Sequence, residues 1–498
     1  VREKHKAGQK EENRYFLQIS YNIVGFFVAI PGGFWGQRMI SRKTLHIAMV
    51  TFSIVVVPIM AHAADPTGNL TFQESLDGLK VSIDFSWTLI SAALVFFMQA
   101  GFALFGAGLL RSKNTLNYLT KSYLDFSAAA LSFWVFGFAF MFGGSKIASG
   151  LMEGNSWIGF SGFFLTGEAY DVTTAMIWIF QMVFAATAAT IVAGAVAERL
   201  KFQAYLIYSF IVCAIIYPIY GHWAWGGGWL STLPFGSGAK DFAGSGVVHA
   251  VGGLVALAGA WMVGPRMGKY TRHGTPNAIP GHNLSYVIAG TFILFFGWFG
   301  FNGGSTLAAT DLRISIIIVN TFLAGSVGAV TVIYLTYVQT GRADIILACN
   351  GALAGLVAIT APCAYVPPWA AVIIGALAGI IMRISVWFVE YKLKVDDPVG
   401  AISVHGTNGL FGLIALGIFA DGTYGGVKGI IAGDWGQIIA QLISCGTVII
   451  WAFGTGCLTF LALKHTLGIR VNIEEEFQGL DIPEHGIECY PEEKLSFG

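Results

Sequence analysis

The chain has 498 residues, 55% of them hydrophobic and only 11% charged, whereas soluble domains carry about a quarter charged residues. That deficit excludes a soluble globular protein and a disordered chain. The 28 basic and 28 acidic residues cancel, so there is no basic footprint for a nucleic acid.

Near the start, Met39 is followed by Arg42 and Lys43, an apolar run from Ile47 to Met60, and Ala61-His62-Ala63. A basic start, a short apolar core and an A-x-A end describe a secretory signal peptide. The core falls short of the ~20 residues a membrane span needs. Residues 39–63 are therefore expected to be a cleaved signal, with the mature chain starting near Ala64. Residues 1–38 then read as an upstream extension from a misassigned translation start. N-terminal sequencing that recovered Val1 would overturn this expectation.

Beyond Ala64, long apolar runs alternate with short polar breaks. Eleven helical spans are predicted, at 85–110, 124–143, 174–196, 203–221, 244–263, 285–308, 314–338, 344–361, 369–389, 401–419 and 437–463. The transmembrane domain so defined covers 64–463. The 64 glycines, which would mean loops in a soluble chain, here mean close helix packing. Six scattered cysteines without a CxxC spacing point to neither a disulfide scaffold nor a zinc site.

Signal cleavage predicts an external N-terminus, and the basic residues agree. Arg111, Lys113, Lys121, Arg199, Lys201, Arg266, Lys269, Arg272, Arg342, Lys392 and Lys394 fall in loops expected inside. Loops expected outside hold only Lys146, Lys240, Arg313 and Lys428. This is the positive-inside pattern. An odd number of spans puts the C-terminus in the cytoplasm of a multi-pass inner (plasma) membrane protein. Residues 464–498 form a cytoplasmic tail, acidic at Glu474, Glu475, Glu476, Asp481, Glu484 and Glu488. On this reading, basic residues set topology, and acidic residues cap helices or fill the tail.

Two segments echo each other. Asp241 to His249 opens the fifth span and Asp397 to His405 the tenth, and both read D-x-x-G-x-x-x-V-H. They lie five spans apart, and an odd number of spans inverts the second copy. The fold expected is therefore an all-α polytopic membrane protein. An inverted five-helix repeat (spans 1–5 and 6–10) precedes a final long helix. Each His stands eight residues past its Asp, ~12 Å along a helix, and half the hydrocarbon core is ~15 Å. The two imidazoles should thus meet near the midplane. A lone His in a span is ordinarily a packing residue. A matched pair at inverted positions points to a pathway, because ionisable groups in a bilayer are costly. Bis-His haem ligation is the rival reading, although only one such pair exists. Asp241 and Asp397 read as helix caps. Asp241 could in addition lend negative potential to a cation arriving from outside.

Three aromatic clusters carry polar partners. Phe180 and Phe184 stand at i and i+4 around Gln181. Trp225 precedes three glycines at the end of span four. Trp298, Phe301, Asn302 and Ser305 share span six. Aromatic faces attract cations by ~0.5–2 kcal/mol, and a Ser hydroxyl accepts a hydrogen bond from an ammonium. Together they make a weak cation site without a fixed charge.

At these residues the chain resembles the ammonium transporter family. The run FQMVFAATAATIVAGAVAER from Phe180 to Arg199 looks like the family's third-helix signature. Asp241–His249, Gly297–Ser305, His405-Gly406 and the tail elements Gly468–Val471, Gly479–Asp481 and His485-Gly486 match as well. The resemblance runs from Phe85 to about Tyr490. It implies a homotrimer with one narrow pore per subunit. It implies that Phe180, Phe184, Trp225 and Ser305 recruit ammonium, supported by Asp241. Phe184 and Phe301 would gate the pore, and His249, His405 and Trp298 would line it. The family's Rhesus-type branch generally lacks a Trp at the recruitment position, so Trp225 argues for the bacterial and plant-type branch. The tail, with Arg470, Gly479, Asp481 and His485, resembles a regulatory segment that in many bacteria helps dock P-II signalling proteins. Residues 1–38 have no counterpart in the family.

The physics fits this resemblance. Ammonium and potassium are alike in size and charge, but only ammonium can shed a proton. A hydrophobic pore penalises the charged form. Deprotonation at the mouth would pass ammonia and refuse potassium, and paired imidazoles would handle ammonia or the proton. The expectation is an ammonium transporter, not an enzyme, with no cofactor or metal. No nucleophile triad, P-loop or GxGxxG after a strand is found. An ammonium sensor with little flux is the alternative.

Overall fold

A computed structural model describes residues 75–491 except 146 and 148–150, together with Asp65, Gly68 and Phe72. The expected signal peptide and upstream extension lie outside the described residues.

Among the described residues the chain is all-α and has no sheet. Ten helices are long and apolar enough to cross a membrane. They are α1 (Leu76–Leu109), α2 (Ser112–Phe142), α3 (Val172–Val196), α4 (Phe202–Ala224) and α5 (Ser245–Val263), then α6 (Leu284–Thr306), α7 (Ile314–Thr340), α9 (Pro368–Leu393), α10 (Ile402–Phe419) and α11 (Trp435–Thr466). Between α7 and α9 lies α8 (Ile345–Thr360), apolar but only 16 residues long. In the tail follow two short helices, α12 (Ile473–Gln478) and α13 (Asp481–His485).

Local chemistry explains the helix ends. The side chains of Ser75, Asp171, Asn283, Asp344 and Asp434 accept hydrogen bonds from first-turn N–H groups of α1, α3, α6, α8 and α11. Proline opens α9, and Gly341 closes α7 in the left-handed region at φ 73°.

Two boundaries differ from the sequence expectation. Helix α1 begins at Leu76 rather than near 85, because its first turns carry Asp77, Lys80 and Asp84 on an exposed end. Helix α2 begins at Ser112 rather than 124, which moves Lys121 out of a loop and into a buried helical turn. Its Nζ donates to the Leu200 carbonyl at 2.7 Å and pairs with Glu484 at 3.4 Å. Charges with partners do not interrupt a helix, but they do interrupt a hydropathy pattern.

Packing follows the small residues. Helix α3 is almost wholly buried and lies against α1, α2 and α5, while α7, α8 and α9 pack on one another. A Cβ on Gly355 would stand 2.2 Å from the Ala324 carbonyl oxygen, and one on Gly375 2.3 Å from the same atom. Glycine alone lets α8 and α9 reach the α7 backbone there. Outward-facing Phe322, Val330, Tyr334, Ile384, Ile450 and Leu458 suit a lipid surround.

Candidate functional site: a column of rings ending on paired imidazoles

The two echoed segments fold alike. Asp241 accepts from the N–H groups of Gly244 (2.9 Å), Gly246 (2.8 Å) and Val247 (2.9 Å). Asp397 accepts from Gly400 (3.1 Å), Ala401 (3.1 Å) and Ile402 (2.7 Å). The intervening glycines, Gly244 and Gly400, take positive φ values of 111° and 81°, which favour glycine. Each carboxylate thus closes the start of a helix, α5 or α10. Burial pushes both Asp241 and Asp397 up to about 6, against the pull of these N–H bonds.

Past each glycine comes a π-helical turn, Ser245–Ala250 or Ile402–Thr407, and each carries a histidine. Such turns re-aim a side chain from the regular helical path. The helices then touch. A Cβ on Gly253 would lie 2.1 Å from the Gly406 nitrogen, so α5 and α10 meet backbone to backbone. Beside this contact, His249 Nδ1 and His405 Nδ1 stand 3.2 Å apart with both residues buried. One nitrogen donates and the other accepts. The accepting ring therefore carries its own proton on Nε2, and the donating ring has a bare Nε2. Rings in direct contact leave no room for a porphyrin between them, which removes the haem reading.

A column of rings leads to the pair. Trp225 meets Phe184 at 6.4 Å between centroids, and Phe180 meets Phe184 at 4.8 Å. Phe184 stacks on Phe301 at 4.2 Å and 30°. Phe301 stacks on His249 at 5.2 Å, His249 on His405 at 5.2 Å, and Phe102 follows His405 at 6.1 Å. Trp298 covers another side of His249 at 5.4 Å. Hydrogen bonds fix the two indoles: Trp225 Nε1 donates to the Asp241 carbonyl at 2.6 Å and Trp298 Nε1 to Thr360 Oγ1 at 3.0 Å. Ser305 Oγ donates to the Phe301 carbonyl at 2.7 Å, which leaves its lone pairs free to accept.

The structure thus brings Phe180, Phe184, Trp225, Phe301, Trp298, His249 and His405 into one chain of contacts. Ser305 is tied to it through Phe301, and Asp241 through Trp225. The tail residues lie elsewhere. Arg470 pairs with Glu476 at 2.7 Å and donates to the carbonyls of Val263 and Pro265. Asp481 accepts from the N–H groups of Leu116 (3.1 Å) and Asn117 (2.9 Å), so the tail caps α2. Glu484 does the same for Phe202 of α4 at 2.9 Å and also accepts from the Asn117 amide. His485 stands edge-on to Phe202. Gly479, at φ 103°, presses against the Lys113 carbonyl, where a Cβ would stand at 2.5 Å.

Acidic residues do more than cap helices and fill the tail, contrary to the sequence expectation. Arg266 Nε bonds Asp396 at 2.8 Å and its Nη1 reaches Glu198 at 3.2 Å, all three buried. Arg111 Nε also bonds Glu198, at 2.8 Å. Asp125 is fully buried inside α2 and touches Thr190. Sequence reasoning also passed over Phe102 and Thr360. A carboxylate inside an apolar run was the available signal for Asp125. Phe102 and Thr360 give no sequence signal, because only the fold places them.

Membrane-length helices around a buried ring column and a buried imidazole pair define a multi-pass membrane transport protein. The chain belongs to the ammonium transporter family: residues 86–490 match the Ammonium Transporter Family. It is 53% identical over 458 residues to "Ammonium transporter Amt2" of Archaeoglobus fulgidus, covering 89% of this chain and 95% of that one. It is 39% identical over 443 residues to "Ammonium transporter 1 member 3" of Solanum lycopersicum, covering 82% and 93%. Among solved structures it is similar to a "Sensor Amt Protein" (TM-score 0.76, 39% identity, 82% of this chain and 100% of that one). It is also similar to Mep2 of Candida albicans (TM-score 0.73, 29% identity, 83% and 91%). Among the described residues, no group of three or more His, Cys, Asp or Glu side chains could hold a metal ion.

Proposed function

We propose that this protein takes up ammonium and conducts it as ammonia, with or without the separated proton, past His249 and His405. The observation that carries the reading is the pair itself. Two buried imidazoles 3.2 Å apart end a column of aromatic rings in which no charged side chain takes part. Phe180, Phe184, Trp225 and Ser305 recruit the cation. Asp241 supports them by holding Trp225 through its carbonyl and by its negative potential. Phe184 and Phe301, stacked at 4.2 Å, are the gate, and Trp298 lines the pore beside His249.

The same reading takes α8 as an eleventh span and the D-x-x-G-x-x-x-V-H echo as the mark of an inverted five-helix repeat. The N-terminus of the transport domain then lies outside and the tail in the cytoplasm of the plasma membrane. The assembly is a homotrimer. The tail, through Arg470, Gly479, Asp481 and His485, regulates it and is a docking point for a P-II signalling protein.

Solid-supported-membrane currents on proteoliposomes given ammonium pulses test the reading. Transport with the proton predicts an ammonium current and none with potassium, and transport of ammonia alone predicts a rise in internal pH without a current. Wild-type-like currents and selectivity in both His249→Ala and His405→Ala would contradict the pore assignment. Likeness to a protein described as a sensor supports a second reading, sensing with little flux. Saturable ammonium binding without flux would favour it.

A further inference from the structure

Two glutamines near the start of α11 are wholly buried, and the conduction path uses neither. Gln437 and Gln441 stand at i and i+4, so they share one helix face. Both grip the segment that leads into Asp241. Gln437 Oε1 accepts from the Ser237 N–H at 2.9 Å. Its Nε2 donates to the Gly238 carbonyl at 2.8 Å and to Gln441 Oε1 at 3.3 Å. Gln441 Oε1 accepts from the Lys240 N–H at 2.8 Å. Its Nε2 donates to the Lys240 carbonyl at 2.7 Å and to the Leu413 carbonyl of α10 at 3.1 Å. Every amide hydrogen of the two side chains is used. Turning either amide over would set N–H against N–H and oxygen against oxygen, so both orientations are fixed.

A buried amide that satisfies a loop is ordinary. Gln441 differs in what it holds. It takes both backbone groups of Lys240, as a neighbouring strand would, and the next residue is Asp241. Only the φ and ψ of Asp241 separate the clamped Lys240 carbonyl from the Asp241 carbonyl. That second carbonyl accepts from Trp225 Nε1 at 2.6 Å. Just beyond, the N–H groups of Phe242 and Ala243 donate to the Ala361 and Thr360 carbonyls, both at 3.1 Å. Asp241 therefore lies between two anchored stretches. Trp225 reaches the same face of α11 by a second route. Tyr220, in the last turns of α4 before Trp225, has its hydroxyl 2.8 Å from Ser444 Oγ, and Ser444 stands one turn beyond Gln441.

We propose that Gln441, seated on Gln437, is a positioning residue for ammonium recruitment. Through Lys240 it sets the Asp241 carbonyl, and through that carbonyl it holds the Trp225 indole against Phe184. Neither glutamine meets the cation. The inference deepens the reading of Trp225 as part of the recruitment site and rests on it. Without the clamp the indole loses its fixed place, so ammonium is captured less well. The Asp241 carboxylate keeps its own N–H bonds, so the helix that carries His249 stays closed and the maximal rate is unchanged.

The test uses the full chain in proteoliposomes, with ammonium chloride as probe and the initial rate read both as current and as internal pH rise. Trp225→Ala is the reference for recruitment and should raise the half-saturating ammonium concentration. Gln441→Met keeps the side-chain length and removes its hydrogen bonds. It should raise the half-saturating concentration about five-fold, the scale of one neutral hydrogen bond, with the maximal rate per folded protein unchanged. In a Trp225→Ala background it should add nothing, because its effect runs through that indole. The 15N–1H signal of the Trp225 indole, assigned by its loss in Trp225→Phe, should shift in Gln441→Met. Gln437→Met leaves Lys240 on Gln441 and should show the same pattern at smaller size, and it decides the matter if Gln441→Met fails to fold. Three results overturn the positioning role: an unchanged half-saturating concentration in a folded variant, an equal rise with and without Trp225, or an unmoved indole signal. The two failures stay apart. Absent transport, or no rise in Trp225→Ala, sinks the recruitment reading. A rise in Trp225→Ala with none in Gln441→Met sinks the positioning role alone.

Discussion

His249 and His405 share one hydrogen between two Nδ1 atoms 3.2 Å apart, and the shared hydrogen forces their outer nitrogens to differ. One Nε2 donates and the other accepts, so the pair offers a passing ammonia both kinds of hydrogen bond. Replacing either ring by alanine leaves its partner's Nδ1 unpaired in a buried place, a loss of ~1–3 kcal/mol. We expect His249→Ala and His405→Ala each to lower ammonium current about ten-fold, since ~1.4 kcal/mol is one decade. Currents on solid-supported membranes check this, with potassium as the selectivity control.

Asp241 should make recruitment depend on external pH. Burial raises its carboxyl to about 6, so it is charged above that pH and neutral below it. The cation is attracted by the charged form. The half-saturating ammonium concentration should therefore rise several-fold as external pH falls from 7 to 5. Asp241→Asn should flatten that dependence. The stability sign runs the other way. The folded pKa lies above the ordinary ~3.9, so this residue's contribution to stability is greatest at low pH and falls as pH rises from ~4 to 6.

Arg266 is the shared cation of two buried carboxylates. Burial alone would raise the Asp396 carboxyl, but the Arg199 charge and the Arg266 bonds overcome it and hold the group well below the ordinary range. Arg266→Met would strip Asp396 of its ion pair and leave Glu198 to Arg111 alone, at a cost of ~3–5 kcal/mol. A chemical or thermal unfolding series in detergent should show that loss at neutral pH. The difference from wild type should shrink under acid, because a depressed carboxyl loses its stabilising contribution as pH falls through its folded pKa.

Asp481→Ala should free the first turn of α2. Its carboxylate accepts the Leu116 and Asn117 N–H bonds, and losing such a cap costs ~1 kcal/mol. Hydrogen exchange at those two amides should quicken about five-fold, while amides in the middle of α3 keep their wild-type rates.

Much of this was legible in the sequence for a physical reason. A bilayer demands apolar runs near ~20 residues, so most helices announced themselves by composition. The histidine pair was legible because an eight-residue offset from a capping Asp is local information. What failed were the charged ends of α1 and α2, where Asp77, Lys80 and Lys121 broke the hydropathy pattern but not the helix. Glu198, Asp396 and Arg266 were readable as charges but not as partners, since they come from three separate connections. Phe102 and Thr360 owe their places wholly to tertiary contact.

The tail caps carry a consequence of timing. Asp481 closes the start of α2 from 365 positions further along the chain, and Glu484 closes α4 from 282 positions further along. Both helices must be made and inserted long before their caps are synthesised. A nascent chain thus carries open helix ends until translation is nearly over. Chains truncated before residue 481 would keep those ends exposed, as a lasting mark by which a quality-control protease could tell unfinished copies from complete ones.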